Sequence, residues 1–291
     1  MAGVAVVTDS TASLGPERAE RAEVRIIPLQ VVVNGITRLE GDPGTTPALV
    51  AAALRAGQPV TTSRPAAAAF DATYAGLAEA GYEQIVSVHL SGAMSGTCDA
   101  ARLAASRAPV PVTVVDTRTL TMGTGFAALA GAAAAASGKN AERVAAAVTA
   151  CAAGAVTYFS VDQLDHLRRG GRIGAAAALL GAALAVKPLL TVADGVIKPY
   201  ERVRTASRAL ARLEELGLAA LARAAGHSAT VDVAVHHLDN LPGARTLVER
   251  LQGRVSSIGD ISVSEVSAVI GVHVGPGMLG VVIAPRYPVE S

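Results

Sequence analysis

The sequence predicts an α/β fold in two parts: an N-terminal parallel-sheet α/β domain over residues 1–153 and a C-terminal α+β domain over residues 154–291. Three observations carry this. In the first half, short β-branched runs alternate with Ala-rich segments of helical length, and repeated strand-then-helix order argues for a parallel sheet with crossover helices. In the second half the alternation gives way to successive strands, one tight hairpin signal and one long helix. A chain of 291 residues is long enough for one large domain or two moderate ones.

The elements follow in chain order. Residues 4–7 are a β-branched run ending at Asp9, a strand followed by a turn. Residues 24–33 are a second extended stretch, and 47–56 and 66–80 read as helices. A strand over 85–90 leads to a helix over 94–106, and a strand over 110–115, ending at Asp116, leads to a helix over 122–136. The boundary falls near Gly154, where helix gives way to a strand over 155–161. Residues 162–168 read as a short helix with Asp162 as its cap. Residues 189–192 and 196–204 pair around Ala193-Asp194-Gly195, because Asp-Gly favours a tight hairpin turn. A long helix covers about 206–225, strands cover 231–237, 255–266 and 279–284, and 285–291 is a loose tail. Residues 173–186 carry no charge; a helix that is apolar all round is buried or faces a cavity.

Bulk properties remove several function classes. A net charge of +1 gives no general attraction to nucleic acid or to a membrane surface. Aromatic residues are 3% of the chain, so platforms for stacking bases are scarce. Two cysteines, Cys98 and Cys151, fit a reducing cytoplasm better than a disulfide framework. The first residues lack the basic region and cleavage site of a secretory signal. The longest apolar runs, 126–136 and 173–186, fall short of the roughly 20 residues of a membrane span, so no integral membrane segment is expected.

Three distant stretches carry groups suited to gripping an anion: Thr62-Ser63-Arg64-Pro65, Ser91-Gly92-Ala93-Met94-Ser95-Gly96-Thr97, and Gly271-Val272-His273-Val274-Gly275-Pro276-Gly277. With the uncharged Ala, Leu and Val interior between them, they suggest a ligand with one charged end and a long apolar body. Ser91 follows an apolar strand and precedes a helix, where free N–H groups and a positive dipole end favour an anion. The equal alternative is that Ser91 or Ser95 serves only as the helix cap. Thr62 has the same two readings, anion contact or cap. His273 lies among glycines in what reads as a helix-breaking segment, where it could donate to a carboxylate, orient a hydroxyl or bond to backbone. The remaining histidines lack that setting, and no pair has zinc-ligand spacing with a third partner. The arginines at 168, 169, 172, 202 and 204 suit carboxylate or phosphate recognition, or a solvated surface. Gly123-Thr124-Gly125-Phe126-Ala127-Ala128 is a poor dinucleotide match, with no preceding strand and no distant acid, and no Walker A sequence exists.

The ordered set resembles one family. Its members are Val7-Thr8-Asp9-Ser10-Thr11, the segments at 62–65 and 91–97, Leu164-Asp165-His166-Leu167-Arg168-Arg169-Gly170-Gly171-Arg172-Ile173, Val186-Lys187-Pro188, Arg202-Val203-Arg204-Thr205, and residues 273–280. In this order they are similar to the DegV family, the fatty-acid-binding subunit of the bacterial fatty acid kinase system, over about residues 4–284. The resemblance implies a cytoplasmic, non-catalytic carrier that holds one long-chain fatty acid between its domains. It implies that the carboxylate meets Thr62, Ser91 and His273, with Ser63, Gly92, Ser95 and Gly275 in the same site. It further implies Arg172 and Arg204 at the pocket mouth or on the face met by a separate ATP-dependent fatty acid kinase, residues 173–186 around the acyl chain, and neither metal nor cofactor. Arg64, Gly92, Cys98, Ser267 and Val272 depart from the family's commoner residues, which bears on chain preference. Two other readings stay open. One is a serine esterase or acyltransferase using Ser91 with His273, although Ser91 is not in a G-x-S-x-G elbow. The other is a lipid-responsive interaction protein.

Overall fold

A computed structural model describes residues 3–179, 186–226, 230–254 and 258–287. Four parallel strands form the N-terminal sheet in the order β2-β1-β6-β7: β1 Gly3–Asp9, β2 Val24–Ile27, β6 Tyr82–His89 and β7 Val112–Asp116. Helices α3 Ala67–Glu79, α4 Thr97–Ala105, α5 Met122–Ala136 and α6 Ala141–Gly154 connect and flank it. The C-terminal sheet is six-stranded and mixed, ordered β10-β9-β8-β13-β11-β12. Its strands are β8 Val156–Ser160, β9 Lys187–Ala193, β10 Val196–Val203, β11 Thr230–His237, β12 Ile258–Glu265 and β13 Leu279–Arg286. Helices α8 Ala206–Ala225 and α9 Leu241–Gln252 cover one face, packing on Val233, Val235, Val281 and Ile283. The alternate residues Ala234, Val282 and Ala284 join the cluster formed by Val6, Val86, Phe126, Ala127 and Val148. One apolar core therefore runs continuously from the first sheet to the second, because period-two alternation gives β11 and β13 two buried faces.

The expected α/β class is what the structure has, and α5 and α8 begin and end where the sequence placed them. The β9–β10 hairpin also forms as expected: Asp194 and Gly195 take φ of 54° and 80°, the left-handed pair a two-residue turn needs. Several expectations need correction. The single stretch 24–33 is two strands in two sheets; Pro28 offers no N–H to continue the ladder. The second of these, β3 Gln30–Val33, pairs with β4 Ile36–Leu39 and β5 Val60–Ser63 in a small antiparallel sheet. Asp162 does not cap α7 Asp165–Arg169; its carboxylate meets Lys187 at 2.7 Å and Leu164 takes the cap position. Of the apolar segment 173–186, Gly174–Leu179 is a 3-10 turn and not an α-helix, and 180–185 lie outside the described residues. The start of the strand expected from 255, and His227, also lie outside them. Pro285 and Arg286 complete β13 and do not belong to a loose tail. Both cysteines are free and buried, and burial pushes each thiol up to about 12.

Candidate functional site

A narrow cavity lies where the small sheet, the first sheet's loops and the mixed sheet meet. It encloses about 820 Å³ of empty space, mouth included, of which about 70 Å³ is wide enough to seat the centre of a water molecule. The walls are mainly apolar, including Leu29, Leu90, Leu120, Phe159, Ile270 and Met278. The polar lining divides into Thr62, Ser63, Arg64, Ser95, Arg172 and His273 in one group and Thr121, Thr157 and His236 in another.

Local structure explains why Thr62 and His273 meet. Asn34-Gly35, at φ 51° and 79°, turns β3 into β4, and β3 in turn pairs with β5 so that Thr62 lies opposite the buried Val31. His273 sits on α10 Ala268–Val274, so its segment is helical and not helix-breaking as expected; the Ser267 hydroxyl caps the helix by accepting the Ile270 N–H at 3.3 Å. Gly275 ends it at φ 76°. Glu40, at the end of the β4 segment, accepts the Val269 N–H at 2.7 Å and so ties the small sheet to α10. Burial raises the Glu40 pKa above the ordinary carboxylate value. The result is a Thr62 Oγ1 to His273 Nε2 hydrogen bond of 2.9 Å between residues 211 positions apart.

His273 is held neutral. Burial first, then the Arg172 charge, pushes its pKa down to about 4. Its Nδ1 is buried without a hydrogen-bond partner. A buried N–H left idle is costlier than an idle lone pair, so the proton belongs on Nε2, which donates to Thr62. The Thr62 hydroxyl then keeps its own proton for a ligand. Nδ1 lies against Gly170, where a Cβ would come within 2.1 Å of it; Gly275 in turn makes room for His166, whose Cδ2 would be 2.3 Å from a Cβ there. Each histidine thus packs on a glycine of the other's helix end, which accounts for two glycines of the Arg-Arg-Gly-Gly-Arg and Gly-Pro-Gly segments. Arg172 is anchored by Nε to the Met94 carbonyl at 3.0 Å and supplies positive charge beside His273.

The structure gathers Thr62, Ser63, Ser95, Arg172 and His273 around the cavity and does not gather Ser91, Gly92, Gly275 or Arg204. Ser91 needs correction as a lining group. Its hydroxyl donates to the Gly195 carbonyl at 2.6 Å and accepts the Ala93 N–H at 3.3 Å, pinning the β9–β10 turn to the 91–96 loop. Gly92 donates its N–H to Asp116 at 3.2 Å, and a Cβ would come within 2.8 Å of that carboxylate. Arg204 is exposed on the surface. The Ser91–His273 pair that an esterase would need is not formed, since each side chain bonds elsewhere. Arg64, which lies across Gly96, joins the lining; its place inside the Thr62-Ser63-Arg64-Pro65 segment was the available signal. The Leu29 wall and the Thr121–Thr157–His236 group had no local signal, because distant strands assemble them.

A second polar chain lies deeper. Tyr74 donates to Ser87 at 2.8 Å, Ser87 meets His89 at 2.7 Å, and His89 meets Asp9 at 2.9 Å. It has the composition of a nucleophilic triad, yet every member is fully shielded from solvent. Asp9 also accepts the Leu90 N–H at 3.1 Å, so this chain fixes where the 91–96 loop begins. Among the described residues no cluster of three metal-ligating side chains occurs, and no helix is long and apolar enough to cross a membrane.

The family model for "Uncharacterised protein, DegV family COG1307" matches residues 3–286. The chain belongs to the DegV family. A DegV domain-containing protein of Streptomyces coelicolor, SCO2569, is 53% identical over 283 residues, covering 97% of this chain and 99% of that one. Among solved structures, a DegV family protein from Thermus thermophilus, described as binding fatty acid, matches with TM-score 0.90 at 30% identity, covering 97% and 99% of the two chains. Bacillus subtilis DegV, described as a fatty acid binding protein, matches with TM-score 0.87 at 31% identity over 98% and 100%. These two solved DegV relatives thus share this chain's fold along nearly its whole length.

Proposed function

We propose that this DegV protein holds one long-chain fatty acid in the cavity, with its carboxylate at the Thr62–His273 pair. The observation that carries the reading is a narrow apolar slot bearing a neutral, pre-oriented hydroxyl–imidazole pair with a fixed guanidinium beside it. The acyl chain supplies most of the affinity: about 14 buried methylenes at roughly 0.8 kcal/mol each give roughly 11 kcal/mol before ordering costs. The Thr62 hydroxyl donates to the carboxylate, Arg172 offsets its charge, and Ser95 takes the place expected of Ser91. The fatty-acid binding described for the Thermus and Bacillus relatives supports the same reading.

In this reading the protein is cytoplasmic and non-catalytic, and it presents the carboxylate to a separate ATP-dependent kinase that forms the acyl phosphate. The test compares bound lipid with kinase-dependent acyl-phosphate yield for Thr62→Val and His273→Ala. The variants should retain much of the lipid yet lose yield on the order of 100-fold, because a misplacement of about 1 Å costs that much in rate. Full yield from both variants would refute carboxylate presentation by this pair.

A further inference from the structure

The cavity holds two hydroxyls without a partner among the described residues. Thr121 Oγ1 and Thr157 Oγ1 are buried without a hydrogen-bond partner, their residues are 2% and 4% exposed, and both line the cavity. A threonine at a helix N-cap ordinarily spends its hydroxyl on a helix N–H. Thr121 holds the N-cap of α5 yet makes no such bond, and its backbone takes φ 51° and ψ −143°. A β-branched residue rarely adopts that conformation, and such outliers concentrate at ligand sites. Thr157 on β8 accepts the Thr191 hydroxyl on its carbonyl at 2.8 Å, while its own hydroxyl stays unpaired.

Strand register places this group away from the clasp. On β13, Gly280 lies between Phe159 and His236, and Val282 lies opposite Thr157. Met278 follows α10 closely, and Val282 is four residues further, roughly 13 Å along the strand at about 3.3 Å per residue. His236 joins the same region: the Met122 N–H donates to its Nε2 at 3.4 Å, which sets Thr121 beside the ring. Its other nitrogen meets Ser264 at 3.1 Å, and burial pushes its pKa down to about 4, so it stays neutral. Among the described residues the charged ones lining the cavity, Arg64 and Arg172, belong to the clasp group.

We propose that the inner end of the cavity is a subsite for a neutral oxygen on the acyl chain, a hydroxyl or keto group far from the carboxylate, bound by Thr121 and Thr157. This rests on the fatty-acid reading above. A plain methylene chain would cover both hydroxyls and leave them unpaired, whereas a chain oxygen satisfies at least one. Sites built to hydrogen-bond a ligand oxygen discriminate strongly against the analogue that lacks it. A second carboxylate is disfavoured, because among the described residues no cation lines that end.

The test measures dissociation constants for stearate, 10-hydroxystearate and 12-hydroxystearate with the full chain, with Thr157→Val, and with the Thr121→Val, Thr157→Val double variant. Valine keeps the threonine shape, and Thr157→Val alone suffices if the strained position 121 does not tolerate valine. One hydroxy acid should bind the native chain at least roughly tenfold more tightly than stearate, and the valine variants should abolish that preference while keeping stearate binding. A native ratio near or below one, as with a trapped water serving the hydroxyls beneath a plain chain, overturns the proposal. A preference that survives in Thr157→Val and in the double variant overturns it too. If stearate binds and only the ratio fails, the fatty-acid reading stands alone; if no acid binds, both fall.

Discussion

Gly170→Ala isolates the support of the clasp from the clasp itself. Gly170 has φ −75° and ψ −8°, a conformation alanine adopts freely, so the backbone cost is nil. The new methyl would sit 2.1 Å from His273 Nδ1 and 2.8 Å from Cε1, where ordinary contact begins at 3.4 Å. The ring must therefore retreat by more than about 1 Å. The Thr62–His273 bond, 2.9 Å long, cannot keep its geometry through a ring shift of that size. Losing the orientation of a donor to a charged acceptor costs roughly 1.5–3 kcal/mol, or about 10- to 150-fold in palmitate affinity. Gly171→Ala is the control: φ 71° strains alanine, but nothing lies within 4 Å of its Cβ. It should lower stability by roughly 1–2 kcal/mol and leave affinity unchanged. The assay is palmitate binding by calorimetry beside histidine ring-nitrogen NMR. Native affinity and an unshifted His273 tautomer in Gly170→Ala would refute the packing argument.

Other outcomes follow from the same geometry. His236 and His273 both have folded pKa values near 4 against an ordinary 6.5, so the unfolded chain binds more protons between those values. Stability should therefore be complete above about pH 6.5 and fall as pH drops toward 4, by on the order of 3 kcal/mol for each group. Urea denaturation at successive pH values from 7.5 to 5 should report proton uptake on unfolding that rises from near zero to about two, and a pH-independent midpoint would contradict this. Ser91→Ala leaves the buried Gly195 carbonyl without its donor and should cost roughly 1–3 kcal/mol in denaturant while bound lipid stays near the native level. Loss of lipid at unchanged stability would return Ser91 to the carboxylate. ATP with magnesium should give no saturable heat, since the chain has no phosphate-cradling lysine loop; a saturable isotherm would overturn that.

The parallel sheet, the hairpin at Asp194-Gly195 and the long α8 were legible because local chemistry decides each of them. Asn34-Gly35 is as clear a hairpin signal as Asp194-Gly195, and reading it would have separated β3 and β4 and revealed the small sheet that carries Thr62. Asn240-Leu241-Pro242 likewise marks the start of α9, with proline in the first turn. Thr62 and His273 were legible as candidates, but their 2.9 Å contact belongs to the tertiary fold. Ser91 misled because a serine after a strand suits an anion and a cap equally, and only the distant β9–β10 turn decides its partner. His273 looked non-helical because Gly271 and Gly275 flank it; Gly271 is tolerated inside α10 because a Cβ there would press on Leu238 at 3.2 Å. Glycine in this chain often marks close packing where the pattern suggests a loop.

Native mass spectrometry of the freshly purified protein decides whether the cavity holds a fatty acid. One long-chain fatty acid per chain is expected, released by organic extraction and restored by adding palmitate or oleate. Sub-stoichiometric lipid with no uptake of either acid would contradict it.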